Sequence, residues 1–226
     1  MNKEDRVIKL IDDLESVFTI RVFLDHDPYK VLVRTILSQR TRDENTDQAT
    51  DNLFANSKQG DKLILNILQK MGAKITCGED YVEIESDGKL KAIDINLSNA
   101  PDLLITVAVL AAMAEGTSNI SGVAHARVKE TDRIDTTCRE LEKLNCKLIE
   151  REDGMSITGG VTSGVVDSHK DHRLAMAFSL IGLKHDIQII DGEVFDVSFP
   201  NFIESMSELG FELELKKWIK RIELLN

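Results

Sequence analysis

Apolar residues recur along this chain in more than one rhythm. Val7, Ile8, Ile11, Leu14, Val17 and Phe18 fall at helical spacing. Asp27-Pro28 breaks that run, and Pro28 suits the first turn of a second helix through Val31, Leu32, Ile36 and Leu37. A polar stretch, residues 38–45, separates it from a third helical piece that ends at Leu53-Phe54. From residue 57 the pattern changes. Leu63, Ile64, Ile67, Leu68 and Met71 mark a helix that Gly72 ends. Residues 73–77 and 81–85 alternate around Gly78-Glu79-Asp80 and predict a hairpin, and residues 92–97 predict a further strand. Pro101-Asp102 opens an apolar run, residues 103–114, which is too short to span a bilayer and predicts a buried helix. Ile134, Cys138, Leu141 and Leu144 give the apolar face of another helix.

The pattern then repeats. Residues 68–76, 141–149 and 206–214 echo one another, each with an apolar–polar helix end, a Gly or Asn, and an alternating strand start. Pro101-Asp102 with its apolar helix matches Asp171-His172 with its own, at an offset of 70 residues (101 to 171, and 121 to 191 at the far ends). A recurrence of that length predicts a repeated αβ supersecondary unit, hence an α/β or α+β domain. The same comparison divides the chain into a helical segment over residues 1–56, a repeat domain over 57–215, and a basic tail over 216–226 that is predicted to be helical.

Composition narrows the function classes. A net charge of -11 argues against general nucleic-acid binding through a basic surface, although it leaves room for a local anion pocket. Cys77, Cys138 and Cys146 lack metal-ligand spacing and are odd in number, which points away from a zinc site or a disulfide framework and toward a reducing, cytoplasmic setting. The first residues are charged from Lys3 onward and predict no secretory signal.

Candidate chemistry concentrates in residues 122–134. Arg127, Lys129, Glu130, Asp132 and Arg133 crowd into seven residues at the entry of the helix marked by Ile134. Free N–H groups and the positive dipole end favour an anion there, and paired arginines grip phosphate or carboxylate through fork-like donors. Each repeat places polar residues at such an entry: Asp102, then residues 129–133, then Asp171-His172-Arg173. Pseudo-symmetry would bring the three entries to one pocket. The alternative for Asp102 and Asp171 is a plain helix N-cap.

Two resemblances follow from these words. Asp27-Pro28-Tyr29 and residues 36–43, Ile-Leu-Ser-Gln-Arg-Thr-Arg-Asp, resemble the start of the endonuclease III family of DNA glycosylases, with Gln39 at the position that faces DNA there. The family's Gly-rich helix-hairpin-helix turn, its lysine and aspartate pair and its four-cysteine loop have no counterpart. That segment therefore reads as a helical appendage or a fusion relic, and an endonuclease III-like DNA-repair protein stands as the alternative function.

Residues 57–215 resemble the 5-enolpyruvylshikimate-3-phosphate (EPSP) synthase family. The resemblance rests on residues 127–133, Arg-Val-Lys-Glu-Thr-Asp-Arg, with Pro101-Asp102, residues 171–176, and Ser198-Phe199-Pro200-Asn201-Phe202 in the family's order. It implies repeated βαβαββ units and the metal- and cofactor-free transfer of an enolpyruvyl group from phosphoenolpyruvate to the 5-hydroxyl of shikimate 3-phosphate, with release of phosphate. Carried over by motif, Glu130 is the acid/base at the methylene carbon and Asp102 orients and deprotonates the hydroxyl. Arg133 and Arg173 bind phosphoenolpyruvate, Lys129 contacts shikimate 3-phosphate, and Asp171 and His172 complete the substrate site. Val197 stands where many members carry a lysine. The resemblance covers only the second of the family's two domains. It therefore implies a half-site with little turnover alone, and a separate chain as the possible source of the first domain.

Overall fold

The computed structural model describes residues 16–22, 59–77, 82–85, 88–208 and 211–217. The Gln39 stretch and the rest of the glycosylase-like words lie outside the described residues.

Helix α1 (Gln59–Lys70) leads through Gly72, at φ +114, into strand β2 (Lys74–Cys77), which pairs antiparallel with β3 (Val82–Glu85). Gly72 suits that link because a positive φ is nearly free of strain only without a Cβ. Next come β4 (Asp94–Asn96), a 3-10 turn (Pro101–Leu103), α2 (Leu104–Met113), β5 (Thr117–Ser121), α3 (Arg133–Lys143), β6 (Lys147–Arg151) and β7 (Gly154–Thr158). The series resumes with β8 (Gly164–Asp167), α4 (His172–Ser179), β9 (Ile187–Ile190), α5 (Phe202–Glu208) and β10 (Phe211–Lys217). Strands β8 and β9 start 70 residues after β4 and β5 (94 to 164, 117 to 187), the offset read from the motifs.

Two four-stranded sheets result, ordered β4-β5-β7-β6 and β10-β1-β9-β8, where β1 is Ser16–Val22. Each begins with a parallel pair joined by a crossover helix, β4 with β5 through α2 and β8 with β9 through α4. In the first sheet β7 pairs antiparallel to β5 and β6 antiparallel to β7. In the second, β1 occupies the place of β7, antiparallel to both β9 and β10. The unit β4-α2-β5-α3-β6-β7 is thus a complete βαβαββ. Its successor β8-α4-β9-α5-β10 takes its fourth strand, β1, from earlier in the chain.

That arrangement corrects two expectations. Val17 and Phe18 were placed at the end of a helix, so that the first segment read as all-helical; they lie in β1. Ser-Val-Phe-Thr-Ile-Arg-Val is rich in β-branched and aromatic residues, and pairing on both sides outweighs a loose helical spacing that only its first two apolar residues continue. The tail was read as helical from residue 216, but Lys216 and Lys217 end β10 opposite Val17 and Ser16.

The core lies around α2. Residues 104–112 of this helix are all buried, as an all-apolar helix must be, and it packs against α3, α4 and β7. Helix α3 is amphipathic instead, burying Ile134, Cys138 and Leu141 while Arg139 and Glu142 face outward. Gly154 lets β7 approach β5 closely, since a Cβ there would overlap the Ile120 carbonyl. No helix among the described residues is long and apolar enough to cross a membrane.

Candidate active site

Between β5 and α3 the chain turns at Gly122, at φ +79, and passes through a 3-10 turn (Ala124–Val128) before Asp132 caps α3. The Asp132 side chain accepts from the Asp135 N–H at 3.0 Å and also binds Arg127 Nη1 at 2.9 Å. Arg127 Nη2 donates to Glu150 at 2.8 Å and to the Arg151 carbonyl, and its Nε donates to the Glu152 carbonyl. Two sequence expectations change here. The Asp135 N–H at the start of α3 is taken by the capping carboxylate of Asp132 rather than left for an incoming anion. Arg127 braces this loop to the β6–β7 turn, bonding Asp132, Glu150 and the Arg151 and Glu152 carbonyls, and makes no contact with the carboxylates gathered on Arg133.

Arg133, the first residue of α3, points inward instead. Its side chain is 2% exposed and the guanidinium meets three carboxylates. Nε donates to Asp171 Oδ2 at 2.7 Å and Nη2 donates to Asp171 Oδ1 at 3.3 Å, a two-point grip. Nη2 also lies 2.7 Å from Glu130 Oε2, one turn away, and Nη1 lies 3.4 Å from Asp102 Oδ1. Arg173 Nη2 approaches Asp102 Oδ2 at 3.8 Å. The structure thus gathers Asp102, Glu130, Arg133, Asp171 and Arg173 from three separate helix entries. Lys129 is exposed and forms no ion pair among the described residues. His172, at the start of α4, is half-buried, and burial pulls its imidazole pKa below the ordinary value against the opposing pull of Asp171.

The two aspartates differ in kind. Asp171 is a true N-cap, accepting from the Arg173 N–H at 2.9 Å, and at 0% exposure it is also the anchor of Arg133. Asp102 caps nothing: the turn at Pro101–Leu103 has no side-chain cap, and the Asp102 carboxylate points at the two arginines instead. It stays about one-third exposed, so a ligand can reach it. Glu130 is the most accessible of the three carboxylates on Arg133, at 49% exposure. Burial lowers the Arg173 pKa against the opposing pull of the Asp102 charge, and the guanidinium stays charged at neutral pH.

An arginine fixed by a buried carboxylate, a second arginine beside a partly exposed aspartate and a half-exposed glutamate form a surface that can hold an anion. It can also move a proton at one edge of that anion. Among the described residues no cluster of His, Cys, Asp and Glu could hold a metal ion. Sequence reasoning missed Glu140, a buried charge one further repeat along α3 from Arg133. The signal was present as two charged residues seven apart, on the helix side that also carries Ile134, Cys138 and Leu141.

The fold is that of enolpyruvyl-transferring enzymes. It matches the solved structure of an EPSP synthase from Acinetobacter baumannii at a TM-score of 0.61 and 30% identity, covering 71% of this chain and 40% of that one. The family model described as EPSP synthase (3-phosphoshikimate 1-carboxyvinyltransferase) matches residues 47–206, and the chain belongs to this family. A 3-phosphoshikimate 1-carboxyvinyltransferase of Methanobrevibacter smithii is 79% identical over 164 residues, 73% of this chain and 37% of the relative. Its counterpart in Methanothermobacter thermautotrophicus is 54% identical over 169 residues, 75% of this chain and 40% of that protein. The chain therefore spans 37% and 40% of the length of these two relatives.

Proposed function

We propose that this chain carries the second-domain half of a site that transfers the enolpyruvyl group of phosphoenolpyruvate to the 5-hydroxyl of shikimate 3-phosphate in the cytoplasm. The observation that carries the reading is the cluster on Arg133, met by Glu130, Asp102 and Asp171 in a chain of this family.

Arg133 and Arg173 hold the carboxylate and phosphate of phosphoenolpyruvate, where guanidinium forks suit planar anions. The local charges nearly cancel before substrate arrives, so an incoming anion competes with Glu130 for Arg133. Displacing Glu130 leaves its carboxyl beside the methylene carbon, where protonation makes the adjacent carbon electrophilic. Asp102 orients the 5-hydroxyl and takes its proton as the oxygen bonds to that carbon. Loss of the methyl proton and of phosphate then regenerates the enol ether in the product. Lys129, exposed at the rim, neutralises shikimate 3-phosphate, while Asp171 and His172 support the phosphoenolpyruvate side of the pocket. Residues 57–215 supply one wall of this site, and a first domain supplies the opposite wall. Without it both substrates are held on one side only, and orientation supplies a large share of such a rate.

The test combines calorimetry and reconstitution. Phosphoenolpyruvate and shikimate 3-phosphate are titrated into the full chain, which is expected to bind them weakly and to release negligible phosphate. Adding the separately produced first domain of the Methanobrevibacter smithii relative is expected to restore phosphate release, and Glu130→Gln is expected to remove it. No binding alone and no turnover with the first domain present would overturn the reading. Rapid turnover by the chain alone would overturn the half-site argument.

A further inference from the structure

Seven residues beyond Arg133, on the same buried side of α3, Glu140 is 1% exposed and fully bonded. Its Oε1 and Oε2 each lie 2.8 Å from Lys143 Nζ. Oε1 also meets His169 Nε2 at 2.7 Å, and Oε2 accepts from the Asp167 N–H at 2.8 Å. Burial alone pushes this carboxyl pKa up, and the bonds from Lys143, His169 and Asp167 more than reverse it, so the group is charged.

What Glu140 grips is the link between β8 and α4, and that link is strained. His169 and Lys170 are consecutive left-handed residues, at φ 49° and 59°, and neither is glycine. Such residues are strained and persist only where their surroundings over-determine them. Here they do. The His169 N–H donates to Asp167 Oδ1 at 2.6 Å and the Lys170 N–H to Ser168 Oγ at 3.1 Å. Ser168 in turn donates to the Asp191 carbonyl at 3.0 Å. The next residue is Asp171, whose carboxylate is the two-point anchor of Arg133. One helix, α3, thus holds both ends of the linkage: Arg133 at its start and Glu140 two turns later.

We infer that Glu140 and His169 are positioning residues: the Glu140 carboxylate holds the His169-Lys170 turn in its left-handed form and so sets Asp171 against Arg133. Its consequence for ligand binding rests on the anion-site reading above; its consequence for the geometry of Arg133 does not.

The experiment uses the full chain, labelled with 15N, and follows the Arg133 side-chain Nε–H resonance, identified by its loss in Arg133→Lys. Inorganic phosphate is the probe ligand. Glu140→Gln keeps the shape and removes the charge. His169→Asn keeps a residue that tolerates the left-handed region but cannot reach Glu140. Lys143→Met removes a contact to the same carboxylate without touching the β8–α4 link. Glu140→Gln and His169→Asn are expected to displace or broaden the Arg133 resonance and to weaken phosphate binding about tenfold. Lys143→Met is expected to lower the melting temperature and change neither readout. An unmoved Arg133 resonance in both variants overturns the inference, as does an equal shift in Lys143→Met, which would mark a general loss of stability. Should Glu140→Gln fail to fold, His169→Asn decides alone. Should the native chain not bind phosphate, the anion-site reading fails while the resonance still decides the positioning role.

Discussion

At the residue scale, the energetic centre of the molecule is the contact between Arg133 and Asp171. Both side chains are essentially sealed from water, so removing one strands the other's charge. Arg133→Met is expected to destabilise the chain by about 3–5 kcal/mol, read from urea unfolding. Lys129→Met, at an exposed position without an ion pair among the described residues, is expected to stay within about 0.5 kcal/mol while still weakening binding of shikimate 3-phosphate. His172 sets a pH dependence. Because burial lowers its folded pKa, the unfolded chain binds the proton more readily, and stability rises with pH through that interval. The His172 contribution is complete above the ordinary histidine value of about 6.5 and is lost as pH falls through the lower folded value. Melting temperatures measured across that window are expected to fall on acidification in the native chain and to flatten in His172→Asn. The motif words located these residues well. They left Arg127 and Arg133 looking alike, since both are arginines in one charged run. Only the direction of each side chain separates a surface brace from a buried anchor.

At the element scale, β1 matters most. It stands between β9 and β10, so both of its edges are hydrogen-bonded. Thr19 pairs with Glu214 on one side and Gln188 on the other. Proline there removes a ladder bond from a central strand, and Thr19→Pro is expected to cost about 2–3 kcal/mol by chemical unfolding. Deleting residues 1–24 would bare the facing edges of β9 and β10, and exposed edges invite pairing between chains. The deletion is expected to raise light scattering at concentrations where the full chain stays clear. In the first sheet, Gly154→Ala would drive a Cβ into the Ile120 carbonyl and is expected to lose about 3 kcal/mol, measured by the same unfolding curve. Helices α1 to α4 and the β2–β3 hairpin were legible because their apolar spacing and their glycine stops are local signals. Strand β1 was not, since so short a stretch takes its structure from its neighbours, and these lie some 170 residues or more along the chain.

At the scale of the whole molecule, the described residues form one complete βαβαββ unit and a second that β1 completes, preceded by α1-β2-β3. The second full repeat is closed by a strand from the far end of the sequence. Site residues from three helix entries converge: Asp102 before α2, Glu130 and Arg133 at the start of α3, and Asp171 and Arg173 at the start of α4. The sequence by itself determined the family, the repeat and the identity of the charged groups, because these are written in spacing and in short words. Tertiary structure alone decided which charges are buried, which arginine holds the site and which strand completes the second sheet. Those outcomes depend on distance and solvent access between segments remote in the chain, which no local pattern encodes. Glu140 shows the boundary best. Its place on the inner face of α3 could be read from the sequence, but its hold on the turn before Asp171 exists only once β8 and α4 are folded against that helix.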